Sequence, residues 1–396
     1  MGKVGRLPIR AEVQALHERV VATRRDFHEH PELSWREHRT QRVILERLHE
    51  LGLRDVRAIA KTGATGLIEG GKKGRCVLWR ADMDALPVPE KSDLPFASRT
   101  PDVMHACGHD THMAIALGIA EALAARKEKF AGAVRFVFQP AEESAGGAQA
   151  CIADGVLDAP KVHVALGLHI SADIPLGAIN VAPGPFFAAP TTFRIVVEGR
   201  GGHAAAPHQS VDAIVVAAHI ITALQTIVSR SVAPSESAVL TVGKVTGGFR
   251  GNVIAESATL TGTIRSYTDA VRETLIRRTE EIVAGVCAAF GATFELEHQT
   301  SCPPLVNDAA VAAFVHAQAA DYFGPNNLLA VPSMGAEDMS VFLEQRPGCY
   351  FWLGARNEAK GIAGRHHDPA FMVDEDALMA GVEFGLRLIE GQLAAK

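Results

Sequence analysis

Cys76-Val-Leu-Trp-Arg80-Ala-Asp82-Met-Asp84 is a short apolar run that ends in two acids. Its length and β-branched or aromatic content read as a buried strand, and the acids mark its C-terminal end. Outward from it, residues 66–69, 134–139 and 163–169 form further apolar runs, and residues 111–127 form a strong helix rich in Ala and Leu. Strand and helix alternate at βαβ spacing, which predicts an α/β sheet. Asp110 is expected to cap that helix, since a short carboxylate accepts first-turn amides. Before the sheet, residues 11–30 and 35–51 carry apolar side chains at helical spacing (Val13, Leu16, Val20; Val43, Ile44, Leu48, Leu51), and Gly52 is a stop signal.

The pattern changes after the Pro-rich residues 181–190. Beyond a boundary near 188, the expected elements are strand 192–198, helix 210–229, strands 238–245 and 257–266, helix 269–290 and strand 293–298. This β-α-β-β-α-β order suits a small ferredoxin-like α+β insert. Ser301-Cys-Pro-Pro-Leu305 marks the return, and helix and strand alternate again from Asn307. The expected division is therefore residues 1–187 with 301–396 as one domain and 188–300 as the other. No internal repeat or low-complexity segment occurs.

With 396 residues, 47% apolar and 21% charged, the chain is long enough for two ordinary globular domains, which excludes disordered, collagenous and disulfide-framework classes. The net charge of −6 leaves no basic excess to neutralise a phosphate backbone, so nucleic acid is not an expected partner. Cys76, Cys107, Cys151, Cys287, Cys302 and Cys349 form no CxxC pair and read as reduced thiols, pointing to the cytoplasm. The opening MGKVGRLPIR has no apolar signal core, and Arg6 stands where myristoylation requires Ser or Thr. The most apolar window, residues 211–228, is broken by Asp212, His219 and Gln225, so a buried helix is expected there and no membrane partner.

Two phosphate-loop lookalikes fail on context. Gly66-Leu-Ile-Glu-Gly-Gly71-Lys72-Lys73 has Lys73 where a hydroxyl must hold magnesium, and Gly199-Arg-Gly201-Gly-His-Ala204 leads into Ala-Ala-Pro-His in place of a helix. Neither GxSxG nor HExxH is present.

Metal-competent side chains gather instead after the apolar strands: Asp82 and Asp84, Glu142 and Glu143, and His169. In an open parallel sheet that edge is where ligands bind. His105-Ala-Cys107-Gly-His109-Asp110 precedes the helix, and Arg365-His366-His367-Asp368-Pro369 lies near the C-terminus. Cys107 and His109 flank one glycine, so a turn lets both reach one ion. Sulfur with nitrogen favours zinc, and added carboxylate widens the choice to manganese. Singly, each residue has a plainer reading as a core thiol or a satisfied imidazole. Adjacent Glu142 and Glu143 repel each other unless a cation offsets them; one then binds the ion and the other is free to take a proton from water. A solvated acidic turn is the alternative.

RADMDALP (80–87), HACGHDTHMA (105–114), FQPAEE (138–143), GLHI (167–170), GRGGHAAAPH (199–208), MGAEDMS (334–340) and HHDPAF (366–371) together resemble the M20 metallopeptidase superfamily in its amidohydrolase branch. That branch includes hippurate hydrolases, N-acyl-amino-acid amidohydrolases and hydrolases of auxin conjugates. The resemblance runs from about Phe27 to Leu378, with the motifs in order. It implies a catalytic α/β domain, with a mixed, mostly parallel sheet flanked by helices and holding two divalent metals per subunit, zinc or manganese, and an inserted lid or dimerisation domain in a homodimer or higher homo-oligomer. By the same resemblance Cys107, His109, Glu143, His169 and His367 are metal ligands, Glu142 the general base and Asp82 an acid that orients a ligand. His367 is preferred to His366 because the branch pattern is His-x-Pro. Other branches place a ligand histidine where this chain has Arg80. His203 resembles the lid histidine that polarises the scissile carbonyl, often from the partner subunit, while Asn252 and Arg265 resemble holders of the substrate carboxylate; an inter-strand salt bridge is an alternative for Arg265.

The implied reaction is hydrolysis of a hippurate-like N-acyl-L-amino acid to a carboxylate and an amino acid. Alternatives are a dipeptidase or a metabolite-specific N-deacetylase, for example of N-acetyl-diaminopimelate or an acetylated cysteine; a thiol hydrolase using Cys107 and His109; and a non-catalytic metal- or carboxylate-binding protein.

Overall fold

The computed structural model describes residues 7–362 and 364–395. The N-terminal residues 1–6, read above for targeting signals, lie outside the described residues. The chain divides into two compact units. One comprises the described residues up to Gly184, Val306–Val331 and those from Asp338 onward; the other comprises Pro185–Leu305 and Pro332–Glu337.

In the larger unit an eight-stranded mixed sheet runs in the order Arg54–Ile59, Gly63–Glu69, Ala131–Gln139, Lys72–Asp82, Val164–Pro175, Gly348–Arg356, Ile179–Asn180 and Leu328–Leu329. Its centre is parallel: Lys72–Asp82 pairs in parallel with Ala131–Gln139 on one side and Val164–Pro175 on the other. Gly348–Arg356 continues the parallel run. Central strands covered on both faces are mostly apolar, as Cys76–Ala81 and Ala133–Phe138 are apart from Arg80 and Arg135, which are buried and ion-paired. Because the chain leaves Lys72–Asp82 first toward one neighbour and then toward the other, the C-terminal end of this strand is a topological switch point, where a crevice opens.

The helix His109–Ala124 is mostly apolar beyond its polar first turn and is buried nearly throughout. Glycines let it approach the helix Asp376–Ala394 closely: a Cβ on Gly385 would lie 2.4 Å from Ile119 Cδ1, and one on Gly381 2.6 Å from Ile115 Cδ1. Asp110 does not cap this helix. Gly108 is the N-cap, and the Asp110 carboxylate is buried in the first turn, 2.7 Å from Arg24 Nε and 2.8 Å from His28 Nδ1. The long-range ion pair outcompetes local capping. The expected helix over 11–30 is also two helices, Ala11–Gln14 and His17–Glu29.

The smaller unit is a four-stranded antiparallel sheet in the order Ala238–Gly247, Ser257–Ser266, Ala189–Glu198, Thr293–Thr300. With the helices Ala213–Ser231 and Asp269–Phe290, this is the ferredoxin-like order. Inward Phe193, Ile195 and Val197 pack with Ile220, Leu224 and Val283, while Thr192 and Arg194 face outward. Asp212 and Thr268 cap the two helices through side-chain oxygens, and Gly291 ends the second at φ 71°. Among the described residues, Ala213–Ser231 is the one helix long and apolar enough to cross a membrane by length and composition, and its inner face belongs to this unit's own core.

Candidate metal centre

Four elements of the larger unit bring donors to the switch point. Lys72–Asp82 ends at Asp82, level with Gln139, and the turn after Gln139 carries Glu142 and Glu143. Val164–Pro175 contributes His169, opposite Trp352. The loop before His109–Ala124 contributes Cys107 and His109, with Gly108 at φ 85° between them; a Cβ there would lie 2.4 Å from Ile170 Cγ2. Only glycine turns the chain this tightly, and the turn aims sulfur and imidazole into the same space.

Cys107, His109 and Glu143 present donor atoms within 4.8 Å of one another, and so do Cys107, His169 and His366. Cys107 is common to both groups. Sγ lies 3.4 Å from His169 Nε2 and 3.8 Å from His366 Nδ1. His367, half-exposed at φ 65°, places Nε2 3.2 Å from Glu143 Oε1. The imidazoles are fixed through their other nitrogens. His169 Nδ1–H donates to the Ile170 carbonyl at 2.7 Å, and His109 Nδ1–H to the Asp84 carbonyl at 2.8 Å. Nε2 therefore carries the lone pair in each neutral ring, the form a metal takes.

Two buried polar atoms here, His109 Nε2 and His366 Nε2, have no hydrogen-bond partner, and Glu143 Oε1 faces His367 Nε2. Orphans of this kind are costly in an apolar interior. Charge adds to this. Burial pushes the Cys107 thiol well up, and Glu143, Glu142 and Asp82 push it further. Burial lowers His109, but Asp82, Asp84 and Glu143 outweigh it and raise the imidazole to about 10. His169 is held well below its ordinary value by burial and by His112 and His366. A buried, acidic, sulfur- and nitrogen-bearing cluster with orphaned donors fits a late divalent cation, which would satisfy the orphans and convert the thiol to thiolate.

Asp82 is fully buried, with Oδ1 2.5 Å from His112 Nδ1 and 3.8 Å from His109 Nε2. His112 Nε2 accepts the Ile170 amide at 2.8 Å, so its Nδ1 bears the proton given to Asp82. Arg80 donates to Asp82 Oδ2 at 2.5 Å, to Gln139 Oε1 at 2.9 Å and to Asp338 Oδ1 at 2.9 Å. A guanidinium so engaged supplies charge and no ligand atom. Glu337 and Asp338 carried no expected role; Asp338 is the anion of this buried pair.

The resemblance assigns no role to Asp84 or His112 and prefers His367 to His366. Asp84 and His112 stand within the quoted motifs RADMDALP and HACGHDTHMA, yet only tertiary pairing shows what they touch. His366, which does not fit the His-x-Pro pattern, packs against Cys107 and His169, with ring centroids 5.1 Å apart for the histidine pair.

In the smaller unit, His203 pairs across a short antiparallel ladder with Val253, and the Ala204 amide donates to the Asn252 carbonyl at 3.2 Å. His203 is exposed, and its Nδ1 accepts the Ala205 amide at 3.0 Å. Arg265, half-buried on Ser257–Ser266, makes no ion pair among the described residues, and its buried Nη1 lacks a hydrogen-bond partner. Neither phosphate-loop lookalike is followed by an α-helix: residues 66–73 form strand, turn and strand, and Gly202–His203 is a short strand.

Buried thiol, imidazole and carboxylate donors at the switch point of an α/β sheet, with a second carboxylate beside them, define a metal-dependent hydrolase. Residues 78–391 match peptidase family M20/M25/M40, and the chain belongs to that family. It is 39% identical over 377 residues to thermostable carboxypeptidase 2 of Saccharolobus solfataricus, covering 94% of this chain and 95% of the relative. It is 38% identical over 375 residues to an N-acetylcysteine deacetylase of Bacillus subtilis, covering 94% and 96%. Among solved structures it is similar to the Bacillus subtilis YXEP protein, a dinuclear metal binding peptidase from the M20 family, with a TM-score of 0.82 and 34% identity over 96% of this chain and 99% of that one. The chain is thus a metallo-hydrolase acting on amide bonds.

Proposed function

We propose that the chain hydrolyses the amide bond of N-acyl-L-amino acids, releasing a carboxylic acid and the amino acid. The observation that supports this reading is the approach of His109 and Glu143 on one side and His169 and His366 on the other to Cys107, with Glu142 adjacent in sequence and close enough to Cys107 to raise its thiol. In this reading Cys107, His109, Glu143, His169 and His367 would hold two divalent ions, zinc or manganese, and Asp82 would orient a ligand. When bound, the ions polarise water and the scissile carbonyl. Glu142 accepts a proton from the attacking water and passes it to the departing amine nitrogen as the C–N bond breaks, so that one water is consumed, its hydroxyl ending on the acyl carbon and its proton on the amine. His203 donates to the developing oxyanion, and Asn252 and Arg265 hold the substrate's free carboxylate, for which the unpartnered Arg265 Nη1 is suited. A homodimer of a cytoplasmic enzyme completes the proposal.

The relatives' names support two narrower readings, deacetylation of an N-acetyl amino acid and release of a C-terminal residue from a short peptide. Both run through the same groups. A metal-reconstituted screen that varies acyl group and amino acid separately distinguishes them. The central test is Glu142→Gln: metal content stays near normal while kcat falls by about 10² to 10⁴-fold, the usual worth of acid–base catalysis. Unchanged turnover removes Glu142 from the role. Loss of activity on chelation, restored by zinc or manganese, excludes the thiol-hydrolase alternative.

A further inference from the structure

The turn after Ala131–Gln139 bends abruptly, with Ala141 at φ 53°, Ala145 at φ 64° and Gly146 at φ 96°. Two alanines in the left-handed region are unfavourable, so this conformation has to be imposed by groups outside the turn. Two carboxylates from distant segments supply them. Asp84 Oδ1 accepts the Glu142 amide at 3.1 Å, Asp84 Oδ2 accepts the Glu143 amide at 3.1 Å, and Glu37 Oε1 accepts the Ala141 amide at 2.9 Å. Three successive amides are thereby taken up by side chains 58 or more positions away. The carboxylates are themselves held: Ser34 Oγ–H donates to Asp84 Oδ2 at 2.7 Å and Thr62 Oγ1–H to Glu37 Oε2 at 2.6 Å. Both acids are fully buried. Asp84 reaches the opposite side of the cluster as well, since its own carbonyl fixes His109 Nδ1.

We propose that Asp84, held by Ser34, is a positioning residue for the reaction: one buried carboxylate clamps consecutive amides of Glu142 and Glu143, setting the proton-transfer carboxylate and its neighbour in register with His109. This inference rests on the reading of Glu142 as the general base. The clamp itself is a property of the chain without metal. Asp84→Asn keeps the size but turns an N–H toward one of the two amides, donor against donor, and Ser34→Ala removes the hydroxyl that fixes the carboxylate.

The test compares Asp84→Asn, Ser34→Ala and Glu142→Gln. In metal-stripped protein, amide exchange read by mass spectrometry in the peptide covering residues 140–146 accelerates about tenfold or more in Asp84→Asn, as expected when a protecting bond is lost, while the helix Asp376–Ala394 exchanges as in wild type. In reconstituted enzyme kcat falls about 10²-fold, the effect of a displacement near 1 Å, with KM nearly unchanged. Ser34→Ala loses about fivefold in kcat, the worth of one hydrogen bond, and carries the test if Asp84→Asn does not fold. Wild-type exchange in residues 140–146, or wild-type kcat in both clamp variants while Glu142→Gln is inactive, overturns the clamp and leaves the base intact. An active Glu142→Gln overturns the base reading, and with it the positioning role, whatever the exchange rates.

Discussion

Cys107 shows how surroundings decide what a side chain is for. A buried thiol flanked by three carboxylates is the hardest kind to ionise, and the same carboxylates make its position the most favourable one for a cation. Without a metal the two tendencies conflict; with one they reinforce. His203 has the opposite setting. It is exposed, and because Nδ1 accepts the Ala205 amide, the neutral ring carries its proton on Nε2 as an available donor. His203→Ala is therefore expected to leave folding intact and lower kcat by about 10² to 10³-fold, as for loss of an oxyanion donor. Steady-state kinetics on an N-acyl amino acid checks this, and rates near wild type would reduce His203 to a turn residue.

The helix His109–Ala124 and the strand Val164–Pro175 meet at Gly108, where backbone conformation and packing impose the same residue. At φ 85° with Ile170 Cγ2 2.4 Å from a would-be Cβ, alanine is excluded twice. Gly108→Ala should cost about 2 to 4 kcal/mol, combining left-handed strain with overpacking. Since Cys107 and His109 flank the turn, metal content should fall with stability, whereas a glycine lost from the remote αL position Gly155, with open space around its Cβ, should leave metal content unchanged. Urea midpoints alongside metal analysis read the contrast. Equal metal content in Gly108→Ala would mean that the turn does not set the donors. The clamp at residues 141–143 follows the same rule: an unfavourable turn persists where buried partners from other elements over-determine it.

Charge pairs distributed over the larger unit give the protein its acid response. Burial would raise Asp374, but Lys360 Nζ at 2.8 Å and Asn357 Nδ2 at 2.6 Å outweigh it and hold the carboxylate below its ordinary value. A depressed carboxylate adds stability above its unfolded value of about 3.9 and loses it as pH falls through the lower folded value. Asp374→Asn should therefore lower the urea midpoint at neutral pH, by an amount that shrinks once pH drops below about 4. A gap independent of pH would show that the pairing is not the cause. Much of this architecture was readable from the chain alone. The period-2 strands and capped helices of Pro185–Leu305 announce themselves because Asp212, Thr268 and Gly291 act on their immediate neighbours. The donor types at strand ends and the order of motifs were equally legible, being local chemistry in a fixed sequence. Asp110 resembles a cap in sequence, yet its partner His28 stands 82 positions away, and the break between the first two helices leaves no composition signal. The raised Cys107 thiol and His109 imidazole, the hydrogen bond that fixes His169 Nδ1, the anionic role of Asp338 and the grip of Asp84 on two amides arise only on folding. Each depends on burial and on charges that distant segments bring within a few ångströms, and no property of a residue or its chain neighbours encodes that proximity.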